Sequence, residues 1–162
     1  MKTVGIIGGM SWESTSTYYR RLNQLINERL GGLHSAELLL ASVDFAPIEN
    51  MQSKGDWNAA ASALVTKARQ LEKAGAECIV IATNTMHKVA PEIEAAVSIP
   101  LIHIVDALAN HLKKNGVERA GLLGTRFTMQ QSFYKERLEQ QGIQVLIPNE
   151  SDSKAIDSII FK

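Results

Sequence analysis

The stretch CIVIATNTMHK, Cys78 to Lys88, passes from a wholly apolar run into a polar one. Cys78 to Ala82 has the length and composition of a buried strand. Thr83, Asn84 and Thr85 stand at its end, and from Thr85 to Ala96 the pattern is helical, interrupted by Pro91. A strand apolar on both faces that leads straight into a helix belongs to a parallel sheet covered on both sides.

The same alternation extends in both directions. Val4 to Ile7 is a short apolar run closed by Gly8-Gly9, and a helix is expected from Ser14 to Leu30, where Tyr18, Leu22, Leu25 and Ile26 share a face and Gly31-Gly32 ends it. Leu38 to Val43 is strand-like and ends at Asp44; Asp56 to Ala74 is an alanine-rich amphipathic helix closed by Gly75. Pro100 to Val105 reads as a fourth strand, and Asp106 opens a helix that ends at Gly116. The fold class is therefore α/β, a parallel sheet flanked by helices. Such sheets bind ligands outside the carboxyl ends of their strands. The polar clusters fall at those ends: Gly8-Gly9-Met10-Ser11, Asp44, Thr83-Asn84-Thr85, and His103 with Asp106.

Gly5-Ile6-Ile7-Gly8-Gly9 is echoed by Gly121-Leu122-Leu123-Gly124-Thr125, and Thr125 follows Gly9 by 116 positions. A helix from Thr128 to Gln140 and a strand-like Gln144 to Ile147 repeat the first plan, followed by a helix from Ser153 to Lys162. Two similar α/β units are expected, the first over residues 1–115 and the second, incomplete, over 116–162. If the period holds, the second unit's counterpart of Thr83 falls near residue ~199, beyond the last residue of this sequence. The sequence then reads as a fragment or as a chain that a partner completes.

Composition removes several function classes. Apolar residues make up 45% and charged residues 21%, enough for a real core, and 17 Lys+Arg balance 17 Asp+Glu. This balance points away from nucleic acid and acidic lipid as partners. The N-terminal apolar run is too short for a signal peptide or a membrane span. The single cysteine, Cys78, excludes an intramolecular disulfide and suits a reducing, cytoplasmic setting. It begins a strand and reads as a small buried apolar residue. His34, His103 and His111 lack metal-ligand spacing, so no metal site is expected.

The glycine turn is not a nucleotide fingerprint. G-x-x-G-G lacks the third glycine, the nearest strand-end acid, Asp44, lies about 35 residues on instead of about 20, and no G-x-x-x-x-G-K-[ST] occurs. The turn reads either as a tight bend that excludes Cβ atoms or as a small anion site with Ser11, Ser14 and Thr15 as added donors. Thr83-Asn84-Thr85 offers one helix cap and more polar groups than a cap requires. Trp12 and Trp57 read as packing or lid residues.

Four motifs in order, GIIGGMSWEST, LGGLHSAELLLASVDF, ATNTMHK and LLGTRFTMQQSFY, resemble the aspartate/glutamate racemase family over essentially the whole chain. They are most similar to its bacterial amino-acid racemases with threonine at the first catalytic position. The resemblance implies two similar α/β domains with the active site between them, a homodimer, and racemisation of an amino acid without a cofactor. In the family two thiols face opposite sides of the substrate α-carbon, one removing the proton and the other returning one. A thiol suits both roles because its reference pKa of about 8.5 can be tuned toward neutrality.

By that resemblance Thr83 takes the place of the first thiol, and the second lies beyond residue 162. Residues 1–162 alone are then inactive, and the enzyme acts unequally on the two enantiomers, favouring the L-form. Asn84, Thr85 and Thr125 match positions that hold the substrate's α-carboxylate or amino group. Met10 and Ser11 line the pocket, Gln52 contacts the substrate side chain, and His87 lies near the pocket. A non-catalytic module binding an amino acid or a dicarboxylate is the alternative.

Overall fold

The computed structural model describes residues 1–160. Two compact units divide the chain, Met1–Ile102 and a second that begins at His103.

The first unit is built on a three-stranded parallel sheet, ordered β2-β1-β3, from β1 (Val4–Gly8), β2 (Leu38–Ser42) and β3 (Cys78–Ile81). Gly8 lies opposite Ser42 and Ile7 opposite Ile81, so the three carboxyl ends share one edge. The connections are α1 (Trp12–Leu30), then α2 (Phe45–Ser53) and α3 (Trp57–Lys73). Side-chain oxygens start all three helices: Ser11 accepts from Ser14 N, Asp44 from Ala46 N and Asp56 from Ala59 N. α3 turns Ala60, Ala61, Leu64, Ala68 and Leu71 inward, and its alanines let the helix lie close to the sheet. Leu64, Ile7, Ile79, Ile81, Met86 and Ile93 are buried in one core, each worth about 1.5–3 kcal/mol of transfer free energy. α1 buries only Thr15, and Trp12, Tyr19 and Leu30 remain more than half exposed.

Three departures from the sequence reading concern this unit. α2 is an extra helix, started by Asp44 with Pro47 in its first turn, where a missing N–H costs nothing. The fourth strand shrinks to one parallel bridge, Ile79 to Leu101, with Ile79 N donating to Pro100 O and Ile102 N donating to Ile79 O. The helical stretch after β3 begins as a 3₁₀ turn, Thr85–Val89, and becomes α4 (Ala90–Glu94), with Pro91 at the start of α4, where proline is tolerated.

Glu72 fastens α3 to the chain that leads to Leu101. Its Oε1 accepts from Ser98 N at 2.7 Å and Ser98 Oγ at 2.6 Å. These Ser98 hydrogen bonds, side chain first, hold its carboxyl below the usual range. A folded-state pKa below the unfolded one gives stability that is present above the ordinary carboxylate range and lost as pH falls through the folded value. Glu72→Gln is expected to lower the Tm near neutral pH and to match the parent in acid. Melts at about pH 7 and about pH 3 check this, and a Tm gap that persists in acid contradicts it.

The second unit pairs β4 (Arg119–Gly121) with β5 (Gln144–Leu146) in parallel, with α5 (Ile104–Lys114), α6 (Arg126–Gln130), α7 (Ser132–Gln140) and α8 (Glu150–Ile160) around them. Val105, Ala109, Tyr134, Leu138, Ile143 and Val145 form its core. Asp106 on α5 receives two bonds of 2.7 Å from Arg137 on α7. That pairing and the shared core assign α5 to this unit, so the units meet at Ile102/His103 and not at residue 115. The expected helix from Thr128 to Gln140 is two helices, because Gln131 is extended (φ −85°, ψ 146°). The last two residues of the expected helix from Ser153 to Lys162, Phe161 and Lys162, lie outside the described residues.

The repeat seen in the sequence has a structural counterpart. A Cβ on Gly8 would meet the Thr15 side chain, and one on Gly124 would meet that of Thr128. In each unit a glycine at the strand end thus lets a threonine of the next helix's first turns pack against the turn. Ser11 and Thr125 cap those helices alike, each accepting from the N–H three residues on.

Candidate active site

Parallel pairing brings the loops after β1 and β3 to the same edge of the first unit's sheet, and Ala82 N donates to Ile7 O at 2.9 Å where they leave it. Met10, Ser11, Thr83, Asn84 and Thr85 follow directly. Met10 is buried; Ser11 is partly exposed, capping α1 and donating to Glu13 Oε2 at 3.1 Å.

The glycine turn spends its donors internally. Gly9 N donates to Thr15 Oγ1 at 2.9 Å, and Thr15 Oγ1 donates to Ser11 O at 3.0 Å. Gly9 has φ +91°, and a Cβ there would run into the backbone of Val43. The turn is thus a close approach of two chain segments that requires glycine, and the Gly9 N–H is not available to an anion.

At the end of β3 the reverse holds. Asn84 occupies the cap position of the 3₁₀ turn, yet its side chain makes no capping bond. Among the described residues neither the Thr83 hydroxyl nor the Asn84 carboxamide has a hydrogen-bond partner. Thr83 is half-buried and Asn84 exposed, whereas Thr85, Met86 and His87 are buried. Polar groups at the ligand edge of the sheet are therefore not absorbed by local structure, as the cap reading of the tripeptide required.

The residues after them are fixed from below. His87 Nδ1 lies 2.8 Å from Thr83 O. Gln52 Nε2, buried at the end of α2, donates to Met86 Sδ at 2.8 Å. Lys88 Nζ sits 4.0 Å from the centroid of the Trp57 ring, and burial lowers the Lys88 pKa. Gln52 and His87 are thus placed within the packing around the motif, and Trp57 is a packing residue.

In the second unit Thr125 caps α6. Its Oγ1 accepts from Thr128 N at 3.4 Å and lies 3.2 Å from Thr128 Oγ1. Asp157 on α8 accepts from Arg126 N at 2.6 Å, one residue further on. The sequence reading missed Asp157, because nothing in a solvent-exposed helical pattern marks a carboxylate that reaches back 31 residues. Cys78 opens β3, at the strand's other end from Thr83, and burial pushes its thiol pKa up. Among the described residues no three His, Cys, Asp or Glu side chains are grouped to hold a metal ion, and no helix is long and apolar enough to cross a membrane.

Residues 7–162 match the family model described as Asp/Glu/Hydantoin racemase. The chain is 26% identical over 144 residues to the broad specificity amino-acid racemase RacX of Bacillus subtilis, covering 88% of this chain and 63% of that protein. It therefore spans less than two thirds of the length of the curated relative it matches. Among solved structures it is similar to a candidate Asp/Glu racemase from Yersinia pestis, at 56% identity and a TM-score of 0.94, over 99% of this chain and 70% of that one. An aspartate racemase homologue from Pyrococcus horikoshii is 36% identical with a TM-score of 0.87, over 100% of this chain and 71% of that one.

Proposed function

Because the chain belongs to the Asp/Glu/Hydantoin racemase family, we propose that it forms the substrate-gripping part of a cofactor-independent racemase of aspartate, glutamate or a related amino acid. The observation that carries this reading is the pair of unspent side chains, Thr83 and Asn84, at the ligand edge of the sheet. Removing an α-proton from an amino acid builds charge on its carboxylate, so donors aimed at that group lower the barrier. Asn84, Thr85 and Thr125 hold the carboxylate or the amino group, Met10 and Ser11 line the pocket, and Gln52 and His87 complete its wall.

Thr83 faces one side of the α-carbon. A cysteine beyond residue 162 supplies the thiolate on the other, since Cys78 is buried and opens β3 at the end away from Thr83. A threonine hydroxyl is a poor base near neutral pH, so the two enantiomers are processed unequally and the L-form is favoured. The enzyme is cytoplasmic and works as a homodimer on a small amino acid, with neither nucleic acid nor membrane as a partner.

A second reading, an amino-acid or dicarboxylate binding module without turnover, draws on the same burial of the lone thiol. Calorimetric titration with L- and D-aspartate and glutamate, run beside a racemisation assay on the full-length chain, separates the two. Binding with turnover is expected; binding alone assigns the module, and neither result removes both readings.

A further inference from the structure

We propose that His87 is a positioning residue: by donating from Nδ1 to the Thr83 carbonyl, it fixes the peptide that joins Thr83 to Asn84 and so sets the direction of both side chains. The inference rests on the proposed racemase site and deepens it.

A carbonyl oxygen can only accept, so at 2.8 Å the proton of this bond belongs to His87 Nδ1. The peptide is planar and trans, so fixing the Thr83 C=O also fixes the Asn84 N–H, which points the opposite way. That matters because this segment lacks the usual means of rigidity. It is a 3₁₀ turn, whose hydrogen bonds are poorer than those of an α-helix, and its cap position contributes no side-chain bond. Across its start His87 N donates to Asn84 O, at 3.1 Å. Thr83 is half-buried and Asn84 exposed, so packing orients them less than it does His87, which is 2% exposed. A buried ring bonded to this peptide ties the edge of the sheet to the packed residues beneath it. The neighbouring Met86, held by Gln52, and Lys88, over Trp57, keep the ring's own backbone in place.

Two measurements on the full-length protein test this. In the unmodified protein, ¹⁵N–¹H correlation spectra of the imidazole should show the proton on Nδ1; a ring carrying its proton on Nε2 alone overturns the proposal without any variant. Then His87→Asn, whose carboxamide nitrogen can reach the place of Nδ1, is compared with His87→Leu, which cannot donate. We expect His87→Leu to lose at least tenfold in kcat with KM changed less than threefold, and His87→Asn to recover most of that loss although both lower the Tm. Equal losses in the two variants, or a kcat for His87→Leu within twofold of the parent, overturn it. Absence of turnover in the parent itself would instead remove the racemase reading, and the tautomer measurement would still decide the hydrogen bond.

Discussion

Gly9→Ala is expected to be the most damaging single-methyl change in the first unit. The added Cβ would lie 2.5 Å from Val43 N and closer still to Val43 O, both backbone atoms that cannot rotate away. Residue 9 also has φ +91°, outside the range an alanine adopts readily. Relief requires pulling the β1–α1 turn off the end of β2, which breaks the 2.9 Å bond from Val43 N to Gly8 O and the Gly9 bond to Thr15. The left-handed backbone costs about 1–2 kcal/mol and each of the two lost bonds about 0.5–1.5 kcal/mol more, for a total of about 2–5 kcal/mol. Two companion variants separate the causes. Gly31→Ala meets no atoms within 4 Å but has φ +71° and ψ −173°, a region essentially reserved for glycine, so it should show only the backbone cost, about 1–3 kcal/mol. Gly121→Ala has open space and an ordinary φ, and should change stability by less than about 0.5 kcal/mol. Urea melts giving this order support the close-approach account; a Gly9→Ala loss no greater than that of Gly31→Ala would show that crowding against Val43 is unimportant.

The largest functional change is expected from Thr83→Cys in the full-length protein. Cysteine lacks the γ-methyl of threonine, and the site is half-buried, so the fold should tolerate the swap. The chemistry does not stay constant. A thiol with a reference pKa of about 8.5 has an accessible conjugate base near neutrality, whereas the hydroxyl has none. The variant should gain activity on the disfavoured enantiomer by at least tenfold, bringing the two directions of proton abstraction closer together. Initial rates from each pure enantiomer report this. A variant whose rates fall equally in both directions would mean that Thr83 does not face the α-carbon.

Much of this architecture can be read from residue order alone, and the reasons are local. The strands announce themselves because a parallel sheet buries both faces, so Ile79, Val80 and Ile81 need no polar alternation. Asp56 marks a helix start because its short side chain caps the backbone, whereas α1 is capped by Ser11, three residues before the expected start at Ser14. The failures are tertiary. Leu101 to Val105 is rich in β-branched residues (Ile102, Ile104 and Val105), yet the run splits: Leu101 stays with the sheet, and His103 Nδ1 accepts from Val105 N to begin α5. α2 escapes a periodicity search because a nine-residue helix that buries Ile48 and Gln52 shows too little of a repeat. Its signal was Asp44 followed by proline in the first turn. At the site, Thr83, Asn84 and Thr85 are legible as polar residues where a strand stops. The bond from His87 to Thr83 is not, because a histidine four positions on is the same letter whether it faces solvent or the preceding carbonyl.

The reaction proposed for this family member begins with abstraction of the α-proton of an acidic amino acid. Proton NMR of L-aspartate and L-glutamate in D₂O with the full-length protein tests it most directly. Loss of the Cα proton signal and appearance of the deuterated D-enantiomer are expected for at least one of the two, faster from the L-form than from the D-form. A Cα signal that stays intact for both amino acids and both enantiomers, in protein shown by calorimetry to bind them, would contradict it.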